Sequence, residues 1–224
     1  LRKILNKKVP WIILEKFLYA EKYHYVTARN LIKNYKSSIF VNSWGNEILK
    51  RSKLKTKKSL IKKIEIVVRK GEMLSNITHF LDISSTLTGA YKIKNFEIGK
   101  FKLKISKRKG FNELEGNIYF KLGNVDVKII NKNSIKYHQL NIFSSNNKNV
   151  IKIFYNGLCK SFEEKKLVNF FKFPYASEFT EKIFKVDSRV GNKIKYFNNY
   201  QKISKLEENF LINIKKKIKK IRII

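Results

Sequence analysis

Residues 70–89 read KGEMLSNITHFLDISSTLTG, and this stretch carries the clearest local signal in the chain. Its apolar residues, such as Ile77 and Leu81, recur at the intervals that place side chains on one face of a helix. Gly89 follows the last apolar residue, at the position where a glycine ends many helices. The pattern therefore predicts a helix from Glu72 to Leu87.

This predicted helix carries His79, three residues before Asp82. Histidine has a usual pKa close to neutrality, so a histidine in an apolar setting is a candidate acid or base. A lone histidine on an apolar helix is nevertheless more often a packed, hydrogen-bonded residue than a catalyst. Both interpretations of His79 stay open on the residue pattern alone, whereas His24 and His138 are interpreted as ordinary residues.

Upstream of this helix, the chain has the pattern of a strand, a helix and a second strand. Trp11 to Leu14 is a short apolar run, Tyr23 to Tyr35 has helical spacing, and Ile39 to Val41 is a second short apolar run. Two buried strands joined through a helix are typical of a parallel sheet. Residues 1–44 are therefore predicted to be the last unit of a Rossmann-type domain.

Around and after the helix, apolar and polar residues alternate in short segments, as they do in strands with one buried face. The predicted strands are Ile64–Val68, Tyr91–Ile105, Leu114–Phe120, Val125–Ile130, Ile135–Phe143 and Val150–Phe154. A polar helix from Trp44 towards Lys58 and a closing helix over Ile203–Ile221 complete the pattern. The predicted fold class is α+β: a remnant of a Rossmann α/β unit, followed over residues 45–224 by an α/β domain with an open, mainly antiparallel sheet.

The chain is strongly basic, with 50 Lys and Arg against 17 Asp and Glu and a formal net charge of +33. Such an excess is typical of proteins that bind nucleic acid or an anionic surface, although a coding bias would also spread lysine along a chain. The densest stretches, Lys53–Lys63 and Lys215–Arg222, lack the spaced aromatic residues of RNA-binding modules. Because the net charge is so high, a non-enzymatic basic module that binds nucleic acid or another polyanion nevertheless stays open as a function.

Cysteine and histidine usage argues against a metal protein. Cys159 is the only cysteine, which excludes an intrachain disulfide and a cysteine-based metal cluster. Three separated histidines make a poor metal site, so a metal hydrolase has little support and no metal ligands are predicted.

No apolar run of the sequence has the length needed to span a bilayer. We expect a cytoplasmic protein.

Near the start of the chain, Glu15 and Lys16 directly follow the apolar run that ends at Leu14. This segment resembles a motif of the Gfo/Idh/MocA family of oxidoreductases, which includes glucose–fructose oxidoreductase and inositol dehydrogenase. Residues 9–18, VPWIILEKFL, resemble the family segment that holds a Glu-Lys-Pro motif at the end of a Rossmann strand. Glu15 and Lys16 match this motif, and Phe17 stands in the place of its proline.

A second motif resembles the same family. Residues 74–82, LSNITHFLD, are similar to the family helix with the pattern Asp/Asn-x-Gly-x-His-x-x-Asp. His79 and Asp82 match this pattern, whereas Ser75 replaces its first residue and Ile77 its glycine. The two motifs occur in the order that the family has.

The resemblance implies NAD(P)-dependent oxidation of a sugar, nucleotide-sugar or cyclitol hydroxyl by hydride transfer. It implies that His79 is the general acid or base and that Lys16 orients and polarises the hydroxyl. It further implies that Glu15 and Lys16 lie at the NAD or NADP cofactor, and that Ser75 and Asp82 support the site. It also implies a homo-oligomer formed through the face of the sheet.

The sequence lacks the glycine-rich turn between a strand and a helix that holds a dinucleotide pyrophosphate. Gly45, Gly71 and Gly89 are isolated glycines. We therefore expect a truncated or degenerate member of the family that, by itself, does not bind NAD(P) tightly.

Overall fold

The computed structural model describes residues 11–14, 27, 30, 38–41, 44–105, 112–133, 135–145, 147–173 and 193–221. The strands of this part of the chain are β1 (Trp11–Leu14), β2 (Ser38–Val41), β3 (Ile61–Arg69), β4 (Ile93–Ile105), β5 (Asn112–Leu122), β6 (Val125–Lys132), β7 (Tyr137–Ser144), β8 (Lys148–Phe154), β9 (Leu158–Glu163) and β10 (Lys166–Lys172). The helices are α1 (Trp44–Ser52), α2 (Ile77–Thr88) and α3 (Lys193–Ile221).

The two strands predicted near the start of the chain are confirmed and form a small sheet. β1 and β2 pair in parallel, with Trp11 opposite Ser38 and Leu14 opposite Val41. The predicted helix between them lies mostly outside the described residues. A parallel pair is what the strand, helix and strand pattern predicts.

The other strands form one open sheet in the order β10-β9-β8-β7-β3-β6-β5-β4. Every neighbouring pair in it is antiparallel except β3 and β6, which are parallel. This sheet confirms the predicted fold class. The sequence analysis did not predict β9 and β10.

The core lies between this sheet and the helices, which all pack against the same face of it. In β3, Ile64 and Ile66 are buried and belong to the core, whereas Lys63 and Glu65 alternate with them and lie on the opposite face. Each helix contributes apolar residues to this core, including Ile48, Leu81 and Leu206. The strand alternation of period two therefore decides which face the helices cover.

Helix α1 is shorter than predicted, because it ends at Ser52 and does not continue towards Lys58. Lys53 has a φ of 56°, a left-handed conformation that ends a helix. The Ser52 hydroxyl donates a hydrogen bond to the carbonyl oxygen of Leu49 at 2.7 Å. The lysine-rich sequence after Ser52 gave no signal for this local turn.

The other two helices also begin at different residues from those predicted. α2 begins at Ile77, after a short 3₁₀ turn over Leu74–Asn76, and not at Glu72. The predicted stop at Gly89 is confirmed, because Gly89 has a φ of 71° and caps the helix. α3 begins at Lys193, ten residues before the predicted start.

Among the helices of the described residues, we found none long and apolar enough to cross a membrane.

Candidate active site on helix α2

Helix α2 and the turn before it carry three of the predicted site residues on one side. Ser75, His79 and Asp82 are spaced four and three residues apart, which aligns side chains along a single stripe of a helix. Ser75 is exposed, His79 is half-buried, and Asp82 is only 4% exposed. The stripe therefore runs from solvent into the protein, with His79 in its middle.

Asp82 connects α2 to the first turn of α1. Its Oδ2 atom accepts a hydrogen bond of 2.8 Å from the backbone N–H of Gly45. This N–H group has no partner within its own helix, and the positive end of the helix dipole favours a carboxylate there. Asp82 therefore fixes the position of α2 relative to α1.

The two helices touch at this hydrogen bond. A β-carbon on Gly45 would lie 2.9 Å from the carbonyl oxygen of Asp82 and 2.9 Å from the Cα atom of Ile83. Both of these are backbone atoms, which cannot turn aside as a flexible side chain can. Glycine is therefore needed at position 45 for the helices to approach this closely.

We expect Gly45→Ala to lower the free energy of unfolding by about 2 to 3 kcal/mol, because the added methyl group would push α1 away from α2. Helix propensity alone predicts a gain from the same change. Urea unfolding followed by circular dichroism measures the effect. Gly99→Ala is the control, because its β-carbon would meet nothing closer than 3.7 Å. Equal stabilities of the two variants would contradict the close packing.

Polar groups beside the stripe connect α2 to α3 and to the residues that follow α2. The hydroxyl of Thr78 donates a hydrogen bond of 2.7 Å to Oε1 of Glu207. Burial raises the pKa of Glu207, and the hydrogen bond from Thr78 opposes this only in part. Burial, followed by the negative charge of Asp82, raises the pKa of Tyr91. Titratable groups with altered pKa values tend to gather at functional sites.

Glu113 on β5 holds the start of the histidine helix. Its two carboxylate oxygens accept hydrogen bonds of 2.9 Å from the backbone N–H groups of Leu74 and Ser75. These groups open the turn that leads into α2, where a negative charge is favourable. Sequence reasoning missed Glu113, because its partners are backbone atoms 38 and 39 residues away.

His138 on β7 lies beside α2, although the sequence suggested an ordinary strand residue. Its ring is 6.0 Å from the ring of Phe80, between centroids. Its Nε2 atom is 3.3 Å from a carboxylate oxygen of Glu72. Burial, followed by the positive charge of Arg69, lowers the pKa of His138 to about 4. His138 is therefore a second candidate site residue.

The His138 ring is neutral near pH 7. The Glu72 carboxylate favours the imidazolium, but burial prevails because the His138 side chain is only 16% exposed. A neutral ring that donates its Nε2 hydrogen to Glu72 has an acceptor at Nδ1. Nδ1 is buried and has no hydrogen-bond partner among the described residues.

We expect His138 to make the protein less stable in acid. Its pKa is lower in the folded chain than in the unfolded chain, so its contribution is fully present above pH 6.5 and is lost as the pH falls towards about 4. The loss over this interval is about 3 kcal/mol. Unfolding by urea at a series of pH values should show a flatter profile for His138→Phe, which keeps a ring against Phe80. Parallel profiles of the two proteins would contradict this origin of the acid sensitivity.

Comparison with known proteins finds similarity in structure only. No family model matches the sequence, and no curated protein matches it. Among solved structures, a Gfo/Idh/MocA family oxidoreductase from Vibrio cholerae has a TM-score of 0.62 at 10% identity, over 97% of this chain and 74% of that chain. The fold is that of the Gfo/Idh/MocA oxidoreductases.

Proteins of different functions share this Gfo/Idh/MocA fold. The UDP-N-acetylglucosamine 3-dehydrogenase GnnA from Acidithiobacillus ferrooxidans has a TM-score of 0.57 at 10% identity, over 87% of this chain and 67% of that chain. The transcriptional regulator Gal80p from Kluyveromyces lactis has a TM-score of 0.59 at 13% identity, over 90% of this chain and 66% of that chain. The activity of a chain with this fold therefore depends on its own site residues and not on the fold.

The structure describes the residues of the helix motif but not Glu15, Lys16 and Phe17 of the first motif. Glu15, Lys16 and Phe17 lie outside the described residues, so their predicted roles stay predictions. Ile77, at the glycine position of the helix motif, is 2% exposed and packs in the core. His79 and Asp82 lie on α2 in the order that the motif has.

The described residues do not form a cradle for the dinucleotide that the Gfo/Idh/MocA fold implies. Such a cradle needs a glycine-rich turn that leads from a parallel strand to a helix N-terminus. Gly45 lies at a helix N-terminus, but its N–H group is bonded to Asp82. We therefore assign no cofactor contact to the residues that the structure describes. In the described ranges, no three His, Cys, Asp or Glu side chains are grouped in a way that could hold a metal ion.

Proposed function

We propose that this chain is an oxidoreductase of the Gfo/Idh/MocA type, or a truncated or degenerate derivative of one. Its substrate is a hydroxyl group of a sugar, a nucleotide-sugar or a cyclitol, and NAD or NADP accepts the hydride. The observation that carries the proposal is the half-buried position of His79 on the polar stripe of α2. The similarity in fold to a UDP-N-acetylglucosamine dehydrogenase supports a nucleotide-linked sugar.

In this proposal, His79 accepts the proton that leaves the substrate hydroxyl. Oxidation of a secondary alcohol removes a hydride from carbon and a proton from oxygen, and a base that titrates near neutral pH suits the second task. Lys16 donates a hydrogen bond to the same oxygen and stabilises the charge that develops on it. The family resemblance assigns Glu15, the residue before Lys16, to the cofactor.

Contacts around α2 support the proton transfer by fixing the position of His79. Asp82 ties the helix to Gly45, and Glu113 holds the turn that contains Ser75. A proton acceptor works efficiently only when its distance to the reacting oxygen is fixed.

We place this reaction in the cytoplasm. Cys159 is free and buried, and burial raises the pKa of its thiol to about 12. A buried thiol with so high a pKa is unreactive and needs no oxidising compartment. The state of Cys159 is therefore compatible with the compartment that the sequence predicts.

Fluorescence titration with NADH and NADPH tests the proposal on this chain and on a version extended by any upstream coding sequence. We expect the extended version to bind one of the two cofactors and to oxidise a nucleotide-linked or free sugar. The chain by itself should bind more weakly, because the described residues form no dinucleotide cradle. Absence of cofactor binding by both versions would overturn the proposed activity.

A further inference from the structure

The face of the large sheet opposite the helices carries exposed and half-buried aromatic residues. We call it the open face, and we define it by the rings of Tyr119, Tyr137, Phe143, Phe154, Phe162 and Phe170. These rings alternate along their strands with buried residues of the core, such as Ile118 and Ile142. The open face therefore spreads aromatic side chains over strands β5 and β7 to β10.

Every ring of the open face has a lysine ammonium group above it, at 5.0 to 5.9 Å from the ring centroid. The lysines are Lys63, Lys128, Lys148, Lys152 and Lys160. The strand register explains this mixture, because directly opposite residues share a face. For example, Lys152 is opposite Lys160, and Lys160 is opposite Phe170 on the next strand.

Most of the positive charge of the open face is not neutralised within the protein. Lys63 lies 3.5 Å from the carboxylate of Glu65. In the described part of the chain, the other four open-face lysines form no ion pair with a carboxylate. The face therefore combines a positive surface with flat apolar rings, as proteins that bind single strands do.

We propose that the open face binds single-stranded nucleic acid, with bases stacked on its aromatic rings and phosphates bound by its lysines. The chain segments with the most lysine lack stacking aromatics, and only the pairing of distant strands brings rings and lysines together. The open face lies on the other side of the sheet from α2. This binding is therefore independent of the proposed oxidoreductase activity.

Charge complementarity favours a polyanion over a second copy of this chain. The family resemblance implies a homo-oligomer through the sheet face, but two such faces would bring unpaired lysines together, on chains that each carry a net charge of +33. A nucleic acid strand would neutralise the same lysines and release its counterions. Its bases would also cover rings such as Phe170, which is 53% exposed.

The first test removes the rings and keeps the charge. Fluorescence anisotropy with a labelled single-stranded RNA of about 20 nucleotides measures affinity, and heparin serves as a polyanion without bases. Phe162→Ala together with Phe170→Ala should weaken RNA binding about tenfold or more and leave heparin binding nearly unchanged. Equal losses for RNA and heparin would overturn base stacking.

The second test compares two double variants that each replace two lysines with glutamates, one pair on the open face and one pair away from it. Lys152→Glu with Lys160→Glu should weaken RNA binding more than about tenfold and reduce its dependence on salt. Lys205→Glu with Lys216→Glu, at exposed positions of α3, is the matched control and should change affinity little. Equal losses in the two double variants would show binding by bulk charge and would overturn the proposal.

A third measurement separates the proposed occupant from a second copy. Sedimentation of the intact chain and of the open-face variants reports the oligomeric state, and urea unfolding confirms that each variant is folded. We expect variants that are folded, with weaker RNA binding and an unchanged oligomeric state. Loss of a dimer in the open-face variants, with RNA affinity retained, would assign the open face to self-association and overturn the proposal.

Discussion

Replacing Phe210 with alanine is expected to lower the free energy of unfolding by about 3 to 5 kcal/mol. Phe210 lies on α3 and is completely buried. Its ring meets those of Phe96 and Phe120 edge to face, at centroid distances of 5.3 and 5.9 Å. Truncation removes both aromatic contacts and leaves a cavity between α3 and strands β4 and β5.

Urea unfolding of Phe210→Ala, followed by circular dichroism, measures this loss. Leu211→Ala is the control, because Leu211 is the next residue of the same helix and is 37% exposed. The control should lose much less stability, since an exposed side chain leaves no cavity. A loss below about 1 kcal/mol for Phe210→Ala would show that α3 does not depend on this aromatic cluster.

The second large effect is expected for His79→Ala in the cofactor-binding form of the protein. If His79 accepts the substrate proton, its loss should lower kcat by a factor of about 10² to 10⁴. The value of KM should change little, because His79 is proposed to accept the proton in the transition state and not to bind the substrate beforehand.

Two comparisons separate proton transfer by His79 from a structural role. Thr86→Ala alters a half-buried residue of α2, seven positions after His79, to which no role in the site is assigned, and should keep most of the activity. Urea unfolding of His79→Ala should show a small change in stability, since His79 is only half-buried. A kcat within a factor of about three of the unaltered protein would remove His79 from the proposed mechanism.

Much of the fold could be predicted from the sequence, because its signals are local. The apolar spacing and Gly89 predicted α2 and its stop, and alternation predicted β3 to β8 closely enough to give the fold class. β9 and β10 were missed. In β10 the sequence Phe170-Phe171 breaks the expected alternation.

Less of the candidate site could be predicted, because its contacts join residues that are distant in the chain. The motif contained His79 and Asp82, but nothing near Asp82 in the sequence points to Gly45, 37 residues before it. Glu113 looked like one acidic strand residue among several. His138 looked ordinary, because its low pKa depends on burial beside Phe80 and on the charge of Arg69.

The sequence by itself determined the order of helices α1 to α3 and strands β1 to β8, the alternation that gives strands such as β3 one buried face, and the presence of a histidine on α2. Periodicity along the chain is sufficient for these features, because they depend on neighbouring residues. The tertiary structure alone decided the strand order, the closeness of Gly45 to Asp82, the setting of His138 and the mixture of rings and lysines on the open face. These features depend on strand register and helix packing, which are fixed by contacts between residues far apart in sequence.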